Sequence, residues 1–161
     1  MWLLRSSPLK VRELLWAKFW VGTLPLLVLA LAIVTLTNAM LEVSAFMFWV
    51  SVLTITLMTF GLAGLAMGFG TLFPQFETEN AAQIPTSFGG LLFMMASVAL
   101  IAGVVIAEAR PVYGYLRAMA FGGTPDAAEM VIGFGVAGAL CLAATVVPIQ
   151  IAKSRLEKVE R

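Results

Sequence analysis

The feature that most limits what this chain can fold into is the spacing of its charges. No Asp, Glu, Lys or Arg falls between Lys18 and Glu42, which leaves Phe19 to Leu41 as 23 uncharged residues. At 1.5 Å of rise per residue that run makes a helix about 34 Å long, enough to cross a hydrocarbon core of roughly 30 Å. Val43 to Phe76 is uncharged for 34 residues, too many for one span and too few for two, and a span is expected at residues 45–72. Two further runs, 87–107 and 130–151, bring the expected spans to four. Composition agrees: only 12% of the chain is charged and 61% is hydrophobic, against about 25% charged in ordinary soluble domains. A chain of 161 residues has too little interior to hide that much apolar surface from water. The expected fold is all-α, a polytopic membrane protein with four transmembrane helices in a single membrane domain over residues 1–161.

The basic residues set the expected orientation. Arg5, Lys10, Arg12 and Lys18 precede the first span, and Lys153, Arg155, Lys158 and Arg161 follow the last; only Arg110 and Arg117 lie elsewhere. By the positive-inside rule both termini are cytoplasmic in a multi-pass protein of the cell (plasma) membrane, with residues 152–161 as a cytoplasmic tail. The first run is longer than a signal-peptide core and lacks a small-residue cleavage site, so it reads as an anchor. Glu42 to Ser44 is then a tight external turn and residues 74–85 a cytoplasmic loop. Glu108 to Glu129 is a longer external connection, whose amphipathic stretch 112–121 predicts short helices at the outer interface, closed by Gly122-Gly123.

Several chemistries are excluded. A net charge of +1 leaves no basic excess for nucleic acid. There is no histidine and Cys141 is the single cysteine, so His/Cys metal sites, Ser-His or Cys-His catalysis and an internal disulfide are ruled out; no catalytic residue and no metal site is expected. Gly133, Gly135 and Gly138 match a GxGxxG pattern, but inside a hydrophobic span with no preceding strand. No Gly-x-x-x-x-Gly-Lys-Ser/Thr sequence occurs, so the chain has no P-loop. None of the four apolar runs contains an Asp, Glu, Lys or Arg in its interior, with Glu42 and Glu108 at their external ends, which argues that energy for any transport comes from another polypeptide.

Within the spans the polar and small residues are the candidates for function. Thr35 and Asn38 are three apart, as are Thr56 and Thr59, so each pair shares a helix face. They satisfy their own backbone or a neighbouring helix in one reading and line a path in the other. Gly61, Gly64 and Gly68 form a small-residue face suited to close helix packing. Ahead of the first span, Ser7 and Pro8 make a helix start, with Val11, Leu15 and Phe19 on one stripe. That segment reads as an interfacial helix at the cytoplasmic surface, meeting anionic lipid in one reading and a cytoplasmic partner in the other.

Leu3-Leu4-Arg5-Ser6-Ser7-Pro8-Leu9, followed by Leu14-Leu15-Trp16-Ala17-Lys18, resembles the cytoplasmic coupling segment of ATP-binding cassette exporter permeases of the type-2 transmembrane domain family. The stretch from Gly70 through Pro74, Glu77, Asn80 and Pro85 to Gly90 is similar to that family's middle loop and the start of its fifth span. The resemblance covers nearly the whole chain, from the coupling segment through the last span, and implies the C-terminal part of a longer permease. It implies a permease component that couples ATP hydrolysis on a separate cytoplasmic ATP-binding subunit to movement of substrate across the membrane. ATP and Mg would sit on that partner, with no cofactor bound by this chain, and a second permease copy or homologous half would complete the assembly in the lipid bilayer. Pro8, Leu9, Arg12, Leu14, Leu15, Trp16 and Lys18 would dock the ATPase, Phe76, Glu77, Glu79 and Asn80 would make a second cytoplasmic contact, and Thr35, Asn38, Thr56 and Thr59 would be the candidate path-lining residues. The alternative is a small non-transporting membrane scaffold or assembly protein.

Overall fold

A helix begins where a side chain can cap its free N–H groups and ends where the backbone can turn left-handed, and these positions set the architecture. The computed structural model describes residues 11–73, 87–124 and 126–159, without the side chains of residues 11, 12, 14, 15, 152, 153 and 155–159. Among the described residues there are four α-helices and no strand: α1 (Val11–Met40), α2 (Ala45–Leu72), α3 (Phe88–Phe121) and α4 (Ala127–Val159). Each contains a segment long and apolar enough to cross a membrane. Ser44 caps α2 by accepting from the Met47 N–H, and Ser87 caps α3 by accepting from the Gly90 N–H at 3.1 Å. Gly122 closes α3 at φ 74°, a conformation costly to any residue with a Cβ. Between α1 and α2 the chain reverses through Glu42, itself at φ 49°.

Three boundaries differ from the sequence expectation, all for one reason: a charge does not end a helix. Residues 11–18 are the opening turns of α1, not a separate interfacial helix, because nothing between Val11 and Phe19 breaks the backbone ladder. The third helix does not stop at Ala107 but continues past Glu108, Arg110 and Pro111 to Phe121, so one continuous helix replaces the short external helices. The fourth helix runs on from the expected span into residues 152–159.

The core lies where α2, α3 and α4 meet, and α1 packs chiefly on α2. Leu65, Leu100, Val104, Ala137 and Cys141 form it, with Val104 only 1% and Cys141 2% exposed. Elsewhere the large apolar side chains face outward: Val21, Leu36, Val98, Ile106, Val131 and Ile132 are all well exposed. In water such a surface would drive aggregation, whereas a bilayer solvates it without cost. On α1, Phe19 stacks on Phe60 of α2 with ring centroids 6.3 Å apart and on Trp16 of its own helix, while Trp20 meets both phenylalanines edge-on.

Close approach of α4 to its neighbours depends on glycines set against prolines. Proline has no N–H, so Pro111 leaves the Ala107 carbonyl and Pro148 the Ala144 carbonyl without a helical donor. A Cβ at Gly133 would lie 2.9 Å from the Ala107 oxygen and 2.5 Å from the Pro111 ring. One at Gly64 would lie 3.0 Å from the Ala144 oxygen, and one at Gly68 would collide with the Pro148 Cβ. Each freed carbonyl therefore faces a glycine of the adjacent helix, where Cα–H groups can approach it.

Candidate functional site

Helices α2 and α3 run antiparallel in a register fixed at three levels. At one end the Ser44 and Tyr115 hydroxyls are 3.0 Å apart and the Phe46 and Tyr115 rings 4.7 Å. At the other, Phe73 covers Gly89, where a Cβ would meet it at 2.7 Å. Between them the Thr54 hydroxyl donates to Glu108 Oε1 at 2.7 Å. Thr54 is the tenth residue of α2 and lies about 7 Å from the middle of that 28-residue helix. Glu108 stands at the same level, thirteen residues before α3 ends. The carboxyl thus reaches the bundle interior instead of the external end of a span.

Beside this pair is a half-open cavity of about 260 Å³ between α2, α3 and α4. Phe46, Leu53 and Leu57 of α2, Val104 of α3, and Phe134 and Cys141 of α4 supply much of an otherwise apolar wall. Among the described residues Glu108 is the single carboxyl in that lining, and no Lys or Arg borders it. Its Oε1 is held by Thr54, while no described residue contacts Oε2 as a hydrogen-bond or ion-pair partner. The described residues contain no group of three His, Cys, Asp or Glu able to hold a metal.

The residues singled out from sequence fall into different places. Gly61, Gly64 and Gly68 are buried on the face of α2 toward α4, where Cβ atoms would meet Cys141, Thr145 and Pro148. Thr56 and Thr59 donate to the Val52 and Ile55 carbonyls of their own helix at 2.6 and 2.7 Å. Thr35 is exposed on α1, whereas Asn38 is buried near that helix's end with its Nδ2 unpartnered. The four are not gathered: Asn38 lies at the α1–α2 turn, and Thr59 about 21 Å along α2 from Ala45. Trp16 and Lys18 are exposed on the first turns of α1, while Arg12, Leu14 and Leu15 are placed there by backbone alone. Pro8, Leu9, Phe76, Glu77, Glu79 and Asn80 lie outside the described residues. Sequence reasoning missed the Thr54–Glu108 pair because it used Glu108 to mark a boundary. The signal that could have found it was the lack of any helix stop between Glu108 and Gly122.

Four helices of membrane-spanning length with an apolar exterior, enclosing a carboxyl-bearing cavity, form an architecture compatible with a multi-pass membrane protein. Within that class the chain belongs to the family described as "Putative ATP-binding cassette", whose model matches residues 1–161. No curated protein and no solved structure matches it. The family membership links the chain to ATP-binding cassette transporter machinery, and it corrects the resemblance drawn from the sequence. The match is to a cassette family, not to the type-2 permease domain, so the permease component coupling hydrolysis to substrate movement is overturned, and nothing supports the scaffold alternative. The resemblance rested on the strings around Ser7-Pro8-Leu9 and Lys18, on the stretch from Gly70 to Gly90, and on their order along the chain, none of which is a nucleotide-binding or catalytic motif.

Proposed function

We propose that this chain is a membrane-embedded component of ATP-binding cassette machinery that binds no nucleotide itself and works with a cytoplasmic subunit holding ATP and Mg. The observation that carries this reading is a combination: a cassette family matches all of residues 1–161, yet the described residues form four membrane-length helices and the sequence contains no P-loop. A P-loop needs a strand, a glycine-rich turn and a helix N-terminus to cradle phosphates. Eight of the ten basic residues flank the two ends of the chain, which supports cytoplasmic termini in a plasma-membrane protein. The opening turns of α1, with Trp16 and Lys18 exposed, together with Pro8, Leu9, Arg12, Leu14 and Leu15, are the surface proposed for the nucleotide-binding subunit. Phe76, Glu77, Glu79 and Asn80 provide a second cytoplasmic contact.

The test is photolabelling of the purified assembly with 8-azido-ATP. Label on a co-purifying subunit and none on this chain is the expected result; ATP-competable label on this chain overturns the reading. For the docking surface, replacing Leu14, Leu15 and Trp16 together with Asp is expected to abolish co-purification of that subunit. Unchanged recovery removes the docking claim while leaving the labelling result intact.

A further inference from the structure

We propose that the cavity beside Glu108 is a binding site for an amphiphile with a protonated amine at one end and a short alkyl body. Among the described residues its wall is apolar except for Thr54 and Glu108, and no Lys or Arg borders it. Thr54 occupies Oε1 at 2.7 Å, and Oε2 has no partner among the described residues. A half-buried carboxylate against an apolar wall is costly unless paired, and no described residue supplies the pair. An ammonium group supplies it, with three donors and a compensating charge. An anion is repelled, and a hydroxyl offers one neutral hydrogen bond only.

Size and access define the rest of the ligand. A cavity of about 260 Å³ lies just below the ordinary range for drug-sized molecules. At ~30 Å³ for each water-sized group it accommodates roughly eight or nine methylenes. The cavity is half open, so the amine can enter with its body along Phe46, Leu53 and Phe134. Gly138 lines the wall, and a Cβ there would meet only Leu57, at 3.8 Å. A larger side chain at this position has space to grow into the cavity. The site is defined by the cavity alone and does not depend on how the chain is joined to the cassette machinery.

The experiment is calorimetric titration of the full chain in phosphatidylcholine nanodiscs with octylamine, octanol and octanoate, after subtracting empty discs. Octylamine is expected to bind at least tenfold more tightly than octanol, with no saturable binding of octanoate. Glu108→Gln, which keeps the shape and an acceptor for Thr54, is expected to reduce octylamine to the octanol level. Gly138→Leu is expected to weaken amine and alcohol alike, with helix content by circular dichroism checking that each variant is folded. Equal affinity for amine and alcohol, amine binding unchanged in folded Glu108→Gln, or binding unaffected by Gly138→Leu overturns the proposal.

Discussion

Substituting Gly64 by Ala isolates what the α2–α4 seam contributes. The new methyl would lie 2.6 Å from the Thr145 Cα, 2.9 Å from its carbonyl oxygen and 3.0 Å from the Ala144 oxygen. These are backbone atoms, so no side-chain rotation relieves the contact and α4 itself must move. Gly70 sits on the same helix with nothing within 4 Å of its position, which makes Gly70→Ala the matched control. Both substitutions gain about 1 kcal/mol of helix propensity, and this gain cancels in the difference between them. What remains is the overpacking penalty, about 1–3 kcal/mol. At ~2–4 °C per kcal/mol for a chain of this size, Gly64→Ala should unfold about 2–12 °C below Gly70→Ala. The assay is thermal unfolding of both variants in one detergent, followed by circular dichroism and tryptophan fluorescence. Midpoints within about 1 °C of each other, less than the smallest shift on this scale, would refute the close α2–α4 contact.

Removing the Thr54 hydroxyl with Thr54→Val takes the only described hydrogen bond from Glu108 and should cost about 1–3 kcal/mol in denaturant unfolding, while Thr54→Ser stays near wild type. Gly122→Ala forces a Cβ into the left-handed cap at φ 74° and should destabilise by about 1–2 kcal/mol, with Gly122→Asn losing less. Asn38 buries an amide whose Nδ2 has no partner, so Asn38→Leu should leave the thermal midpoint unchanged or raise it. A clear fall in that midpoint would show that the amide is satisfied in the folded protein.

The runs between charges were enough to read four apolar helices, because a long uncharged stretch has few stable conformations other than a buried or lipid-facing helix. The ends of those helices were less legible. Charge marks where water is affordable, whereas a helix ends where backbone geometry changes, and these coincide only by accident. In α3 the charges begin at Glu108 but the left-handed turn comes at Gly122, so the run fell fourteen residues short of the true end. The same shortfall displaced the candidate site. Once Glu108 is taken as a boundary, Thr54 becomes one more span threonine with no reason to be separated from Thr56 and Thr59. The register of α2 against α3 assigns its hydroxyl to a carboxyl, while theirs turn back to their own helix.

The position of the cavity follows from how residue size is distributed along one pair of helices. From Gly61 to Gly68, α2 presents hydrogen atoms to α4, and the backbones come together against Cys141, Thr145 and Pro148. Toward the other end, Phe46, Val50 and Leu53 of α2 face Met130, Val131 and Phe134 of α4 across the void. Large side chains there hold apart two helices that small residues draw together below. The space left between them meets α3 at Val104 and Glu108, so the carboxyl enters where the seam opens. A tight seam and a cavity are in this sense one feature. Replacing Gly64 should loosen the first and reshape the second, linking stability at the glycine face to ligand affinity at Glu108 although Gly64 does not line the cavity.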